Sequence, residues 1–497
     1  MEQFPKLSEP PLFLCDSLSL PCDNDDSSML PLNGVVAVVY NFYQALINND
    51  LSAVEKILQS TPTVVNHRFN EPFVQSWHLS QAGIHIMVKN GVVEGLHLLI
   101  RYGAEVSLPD KNGDSALHLA AMYAHHMCTK VLLDYDDAVK DAVNKQGLTP
   151  LLRALLCYQT GLKLQFYKTL KFLVDIGCDC NICPNINLSP LYLAVVKEDP
   201  ALICLLVNGG ADVNAVYTNG LTPLLLVVSN KTVNYSSLKL LLDAGASPDI
   251  CNVDGSTPLH IATAKGDIKA VIHLLAAKAN LNIKNNLDET PLWIAVNDNN
   301  YDLVNILIQF GADINYRNKQ KKVPLVLLPI LSQSLKILEL LLESGVRIRT
   351  EGKMGQTPLY LAVGLKNLYL IRLLLRANSQ LNIPCNKYCL LKPMTPIQYA
   401  FELGDETIIK LLIRAGCPVK DIWLRKQNLP AALQAQPDLE KWVLDYIHSP
   451  CSLAHSTRLA IRHMFGEDLQ AKLNYLAAQR KLPSPLIKYI MLDDLVS

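Results

Sequence analysis

The feature that most constrains this chain is a four-residue motif, Thr-Pro-Leu-x or a close variant, that returns about every 33 residues. It begins at Ala82 ("AGIH"), Ser115 ("SALH"), Thr149 ("TPLL"), Ser189 ("SPLY"), Thr222 ("TPLL"), Thr257 ("TPLH"), Thr290 ("TPLW"), Val323 ("VPLV"), Thr357 ("TPLY") and Thr395 ("TPIQ"). The successive spacings are 33, 34, 40, 33, 35, 33, 33, 34 and 38 residues. A second signature follows most of them about 20 residues later, as in "GCDCN" (177–181), "GADVN" (210–214), "GASPD" (245–249) and "GADIN" (311–315). A fixed period of this length means stacked supersecondary units rather than one globular core.

One unit can be read residue by residue. Thr or Ser accepts a hydrogen bond from a free backbone N–H and caps a helix. Pro follows at the first helical position, where its missing N–H is no loss. A short helix such as "LHIATA" (259–264) ends near Gly266, and a second, "IKAVIHLLAAK" (268–278), carries the larger apolar face. A Gly two residues before the cap (Gly113, Gly147, Gly220, Gly255, Gly355) is expected to make a turn of positive φ. No single helix pair can hide its apolar face, so stability comes from nearest-neighbour interfaces between units.

Composition excludes several classes. Half of the 497 residues are apolar and 18% are charged, so the chain has ample material for a core. Its 45 basic and 45 acidic residues balance, which gives no global attraction to nucleic acid or anionic membrane. The longest apolar run, "VPLVLLPIL" (323–331), is half of the ~18 residues a membrane helix needs. The first residues, "MEQFPKLSEPPLFLC", lack the cationic and apolar regions of a secretory signal. Thirteen cysteines are scattered singly through the periodic segments, which points to a reducing compartment, cytoplasmic or also nuclear.

The motifs resemble the ankyrin repeat family, over ten repeats that recur in register. The fold class expected is all-α: a solenoid with a degenerate N-terminal cap. By this reading residues 1–33 are disordered, 34–78 form degenerate capping helices, 79–423 carry the ankyrin repeats, 424–448 form a helical linker and 449–497 a separate small element. Three repeats are enlarged, around 156–169, 229–237 and 385–393. Insertions in solenoids go to loops, either at a binding face or by neutral drift. The unit at Val323 lacks the capping Thr and holds Pro329 inside its first helix, which predicts a shortened or kinked helix.

No catalytic constellation is visible, and no cofactor is expected. Cys178, Cys180 and Cys183 form C-x-C-x-x-C, a spacing compatible with a metal. The repeat register instead gives Cys178 and Cys180 the small buried slots of "GADVN", so no metal site is assigned. His118 and His260 occupy the fourth position of the capping motif, where family resemblance implies a hydrogen bond within the scaffold. One charge feature stands out. "YRNKQKK" (316–322) places Arg317, Lys319, Lys321 and Lys322 on one fingertip, and Arg347, Arg349 and Lys353 follow on the next turns. These are candidate substrate-binding residues for an acidic peptide; the alternative is a solvated lysine-rich surface.

After Cys417 the period fails. "SLAHSTRLAIR" (452–462) reads as an amphipathic helix, with Leu453, Thr457 and Ile461 on one face, and "LPSPLIKYI" (482–490) places Ser484 to cap a last helix starting at Pro485. This order resembles the SOCS box, a small three-helix module, and the whole chain resembles the ankyrin repeat and SOCS box family. The resemblance implies that Leu453, Thr457 and Ile461 bind Elongin B/C, with Thr457 standing where the family has Cys. It implies that Leu482, Pro483, Pro485 and Leu486 bind a cullin of the fifth class with its RING protein, Ser484 replacing the usual apolar residue. The expected function is a non-enzymatic substrate-recognition adaptor of a ubiquitin ligase, the ankyrin surface holding a protein substrate whose identity the sequence does not give. Neither nucleic acid nor membrane is an expected partner. The alternative is an ankyrin scaffold with a degenerate box.

Overall fold

The computed structural model describes residues 34–69, 80–158, 160–184, 188–321, 323–348, 355–377, 379, 381, 383–385, 394–417, 419, 431–448 and 460. The N-terminal 33 residues, most of the 385–393 insertion and the proposed box other than Ala460 lie outside these. The chain divides into two compact units, Met1–Gln146 and Gly147–Ser497.

In the first unit three helix pairs stack: α1 (Gly34–Ile47) with α2 (Leu51–Ser60), α3 (Gly83–Asn90) with α4 (Val93–Arg101), and α5 (Ala116–Met122) with α6 (His126–Tyr135). The first members pack on one another, α1 on α3 on α5, and so do the second members. The first pair lacks the Thr-Pro motif but buries Phe42, Leu46, Val54 and Leu58. The Tyr43 ring lies 5.1 Å from Phe69, which closes the loop after α2.

The second unit continues the same plan with α7 (Pro150–Cys157), α8 (Lys163–Asp175), α9 (Pro190–Val196), α10 (Pro200–Asn208), α11 (Pro223–Ser229), α12 (Tyr235–Asp243), α13 (Pro258–Ala264), α14 (Ile268–Ala276), α15 (Pro291–Asn297) and α16 (Tyr301–Gln309). A two-residue antiparallel hairpin follows, β1 (Arg317–Asn318) with β2 (Val323–Pro324). Then come α17 (Leu327–Leu331), α18 (Leu335–Glu343), α19 (Pro358–Gly364), α20 (Leu368–Arg376), α21 (Pro396–Leu403), α22 (Glu406–Arg414), α23 (Ala431–Gln434) and α24 (Pro437–His448). No helix among the described residues is long and apolar enough to cross a membrane.

The capping logic read from the sequence is present. The hydroxyls of Thr149, Ser189, Thr222, Thr257, Thr290, Thr357 and Thr395 each accept the N–H three residues on, at 3.1–3.4 Å. The five glycines singled out as turn formers all have φ between 68° and 81°. At Gly113 a Cβ would approach the backbone N of Lys145 to 2.6 Å, so a side chain is excluded by contact as well as by φ. Where the repeat lacks this glycine, Asp288 takes the conformation (φ 56°), which Asp tolerates better than most residues. The helix holding Pro329 is indeed short, five residues, and has no side-chain cap.

Two features depart from expectation. The 156–169 insertion does not make only a loop: it extends α8 to 13 residues, because Phe166, Leu170 and Leu173 continue the buried face at i, i+4 and i+7. The hairpin β1–β2 interrupts the all-α plan at one finger, and Cys385 and Met394 form one further isolated bridge.

The second signature also has a role that its recurrence alone does not reveal. The side chain that ends it reaches the next repeat. Asn181 Nδ2 donates to Gly210 O (3.0 Å) and its Oδ1 accepts from Asp212 N (2.8 Å). Asn214 does the same with Gly245 O (3.4 Å) and Ser247 N (2.7 Å). Asp249, Asn282 and Asn315 accept from the amides of Asn280 (2.8 Å), Asp313 (3.0 Å) and Arg347 (2.8 Å). In the first unit Asn66 bridges Gly103 O and Glu105 N. Each bond satisfies a backbone group left over where one helix pair ends, and so fixes the step between neighbours.

The stack of the second unit ends on α23 and α24. α23 packs on α21, with Leu433, Leu439 and Val443 buried. The Trp442 ring lies under Lys410 Nζ (5.3 Å) and the Arg414 guanidinium (5.7 Å) of α22, and Gln436 donates to Gly404 O (3.3 Å). Residues expected to form a mere linker thus cover the last repeat.

Candidate protein-interaction surface

Between helix pairs the chain projects as fingers, and these are built from side-chain turns. Asn or Asp five residues before the cap holds several of the tips: Asn252 Oδ1 accepts from Asp254 N and Ser256 N, and Asn285 Oδ1 from Leu287 N and Glu289 N, all at 2.9–3.0 Å. Asp110 does this in the first unit. Neighbouring tips are joined by backbone bonds, Val253 N to Asn219 O (3.1 Å) and Asn286 N to Asp254 O (2.9 Å). These three fingers therefore form a continuous, hydrogen-bonded edge.

The finger 316–324 is held to the preceding repeat by several side chains. Asn318 is fully buried; its Nδ2 donates to Leu287 O (2.9 Å) and Asp288 O (2.6 Å), and its Oδ1 accepts from Lys321 N (2.7 Å). Tyr316 donates its hydroxyl to Asp288 O (2.7 Å), and Gln320 Nε2 donates to Asn286 O (2.7 Å). Lys319 gives its backbone N–H to the Asp288 carboxylate. Burial works to raise the Asp288 pKa, yet that amide and the nearby Lys284 and Lys319 charges hold it below the usual carboxylate value. Burial and the charge of Asp288 push the Tyr316 phenol up.

This is where three of the candidate substrate-binding residues lie, and a fourth, Arg347, follows α18. Arg317, Lys319, Lys321 and Arg347 are all exposed. They do not form a purely basic stripe: Lys321 Nζ pairs with Glu289 Oε1 (2.6 Å) and sits 5.9 Å from the Trp293 ring, and Lys284 approaches Asp288 Oδ1 (3.9 Å). Lys322, Arg349 and Lys353 lie outside the described residues, as do Leu453, Thr457, Ile461, Leu482, Pro483, Pro485 and Leu486.

Residues of α13 and α15 line a groove of about 390 Å³, among them Ile261, Ala264 and Ile294, with His260, Glu289 and Asp298. At one edge Lys265 Nζ is tied to Val228 O (2.7 Å); burial lowers its pKa. His260 is not a reactive group here. Its Nδ1 meets Thr257 (2.8 Å to Oγ1) and its Nε2 meets Glu289 O (3.0 Å), and burial lowers its pKa despite that carbonyl. His85 repeats the arrangement with Ala82 N (3.0 Å) and Leu108 O (2.9 Å). In the last repeat Gln398 fills the same slot and accepts from Thr395 N (2.9 Å).

Cys178 and Cys180 are buried at 2% and 1% exposure, as their register requires, and Cys180 Sγ contacts Cys178 O (3.7 Å). Burial pushes the Cys417 thiol up to about 12 and that of Cys128 up to about 11, so neither is a ready thiolate. Among the described residues no three His, Cys, Asp or Glu side chains converge as metal ligands would.

Comparison with known proteins agrees with the geometry. A family profile described as "Ankyrin repeats (3 copies)" matches residues 84–183, 191–285, 224–318, 265–351 and 330–422, well over half of the chain. Among curated proteins the chain is similar to the chicken nuclear factor NF-kappa-B p105 subunit, 28% identical over 42% of this chain and 20% of that protein. It is similar to the putative ankyrin repeat protein YahD of Escherichia coli, 29% identical over 39% of this chain and 94% of YahD. It also matches the mouse B-cell lymphoma 3 protein homolog, 27% identical over 48% of this chain and 50% of that protein. Except for YahD, the chain thus spans half or less of these relatives. The stacked, Thr-Pro-capped helix pairs and the profile together establish that this chain belongs to the ankyrin-repeat family.

Proposed function

We propose that the chain is a non-catalytic substrate receptor of a cullin-RING ubiquitin ligase, the ankyrin fingers holding a protein substrate and residues 449–497 docking to Elongin B/C and a cullin of the fifth class. The observation that carries this reading is the order of two elements, "SLAHSTRLAIR" (452–462) and "LPSPLIKYI" (482–490), after a stack that is already closed. A terminal repeat needs a cover for its apolar face. α23 and α24 supply it, with Leu433, Leu439 and Val443 buried. The apolar residues Leu453, Ile461 and Leu486 are therefore not required as a cap, and a partner subunit is the natural occupant of their faces.

The mechanism is proximity. A receptor that holds a substrate near a charged ubiquitin-conjugating enzyme raises the effective concentration of substrate lysines, and needs no reactive residue of its own. The receptor works where those partners are, in the cytoplasm or nucleus. Thr457 weakens the Elongin contact without abolishing it: burying its hydroxyl costs about 1–3 kcal/mol if unsatisfied, but in a helix it can bond back to the carbonyl of Leu453.

Pull-down of Elongin B and C with the full chain tests the reading. Recovery that is lost in Leu453→Asp and Ile461→Asp, and raised in Thr457→Cys, is the expected result. Failure of the native chain to recover either protein would instead assign it to ankyrin scaffolds with a degenerate box.

A further inference from the structure

The fingers of the second unit carry two kinds of exposed side chain in sequence along the stack. On three successive fingers one aliphatic residue stands out: Val216 is 52% exposed, Val253 62% and Leu287 56%. The following finger and turn expose Arg317, Lys319, Lys321 and Arg347. The two sets share two places in the repeat, while Leu287 and Arg347 fall at others, three and ten residues before their capping positions. Val216 and Arg317 each lie six residues before the capping position, and Val253 and Lys319 each lie four before it. A single exposed aliphatic residue is ordinary on a protein surface. A file of three, on tips tied to one another by Val253 N to Asn219 O and Asn286 N to Asp254 O, is a preordered edge whose presentation costs little entropy on binding.

We propose that this edge binds an extended segment of a partner protein in which aliphatic residues precede acidic ones, or follow them if the segment runs the other way. This names the substrate class for the receptor reading above and rests on it. The acidic half is assigned by charge complementarity. Glu289 is engaged by Lys321 (2.6 Å) and Asp288 by the Lys319 amide and charge, while Arg317 and Arg347 are exposed cations among the described residues. The period of the motif follows from geometry. Packed helices stand about 8–10 Å apart, and an extended chain advances about 3.3 Å per residue. Successive contacts therefore fall about every third residue: three aliphatic positions at that interval, then acidic positions at the same interval.

The test uses the full chain and a fluorescein-labelled synthetic peptide, with leucine at three such positions, glutamate at the next three and serine between. The control peptides place the two residue types alternately, and replace glutamate by lysine. Anisotropy is expected to show saturable binding of the first peptide only. Val253→Ser with Leu287→Ser, both on exposed sites that spare the core, should weaken it at least about tenfold at any salt concentration. Arg317→Ser with Lys319→Ser should weaken it similarly at low salt, and the difference should vanish near 1 M salt, where screening acts within about 3 Å. Equal binding of the alternating peptide, no binding, or unchanged binding in both variants would overturn the proposal. So would self-association of the chain in sedimentation that Leu287→Ser abolishes, since a second copy would then own the edge. Elongin pull-down with the same variants separates the two readings: it should be unaffected, so its failure in the native chain speaks against the ligase role and not against this edge.

Discussion

Asn318→Ala should loosen the finger that carries Arg317, Lys319 and Lys321, and its cost can be worked from the bonds it removes. Three are lost: Nδ2 to Leu287 O (2.9 Å), Nδ2 to Asp288 O (2.6 Å) and Lys321 N to Oδ1 (2.7 Å). Asp288 O keeps the Tyr316 hydroxyl (2.7 Å) and stays satisfied. Leu287 O and Lys321 N lose the bonds described for them. Unsatisfied buried groups cost about 1–3 kcal/mol each, so two give about 2–6 kcal/mol, with the lower end expected because water can reach a finger once it loosens. The change is local, so amide hydrogen exchange is the suitable assay. Protection of the Lys321 amide should fall by at least about tenfold per 1.4 kcal/mol lost, while amides of α19 and α20 stay protected. Asn318→Asp, which keeps the acceptor but sets a carboxylate oxygen against the Leu287 and Asp288 carbonyls, should loosen the finger at least as much. Unchanged protection at Lys321 in Asn318→Ala would refute the view that this side chain, and not the two-residue hairpin alone, holds the finger.

Other perturbations follow from the same structure. Thr290→Val removes the acceptor for Trp293 N (3.2 Å) and should lower stability in urea by about 1 kcal/mol, whereas Thr290→Ser should be close to neutral. His260 is buried with a lowered pKa, so the unfolded chain binds its proton more readily. Its contribution is complete above the unfolded value of about 6.5 and is lost as pH falls below it, by up to about 1.4 kcal/mol per pH unit. His85 has the same sign in the first unit. Urea midpoints should therefore fall between pH 7.5 and 5.5, and His260→Gln, which repeats the native choice at Gln398, should reduce that fall. Trp442→Ala removes the ring beneath Lys410 and Arg414, contacts of about 0.5–1 kcal/mol each at exposed sites. It should speed proteolysis between residues 417 and 448 without unfolding α19.

Much of this architecture was legible in the sequence because its signals are local. A Thr-Pro pair specifies a cap and a first turn through bonds made three residues away, and a Gly before it specifies a positive φ. Pro329 foretold the short α17 for the same reason. What stayed hidden depends on neighbours one repeat away. Asn181 and Asn214 look like loop residues until Gly210 and Gly245 are placed beside them, 29 and 31 residues on. The insertion before α8 reads as a loop, since its polar residues mask the i, i+4, i+7 spacing of Phe166, Leu170 and Leu173. The basic finger was visible as a run of charges, but the Glu289 and Asp288 carboxylates that share it come from the preceding repeat. The packing of Trp442 on α22 was likewise invisible, because nothing in a single helix says which cations will flank it.

If the segment after the closed stack is a docking element and not a cap, purified Elongin B/C should bind the full chain directly. Titration calorimetry measures this most simply. Saturable one-to-one binding is expected, tightened in Thr457→Cys and absent in the Leu453→Asp, Ile461→Asp double variant, whose ankyrin units keep their native urea unfolding. No heat and no complex with the native chain, or a double variant that binds as well as the native one, would contradict the docking role.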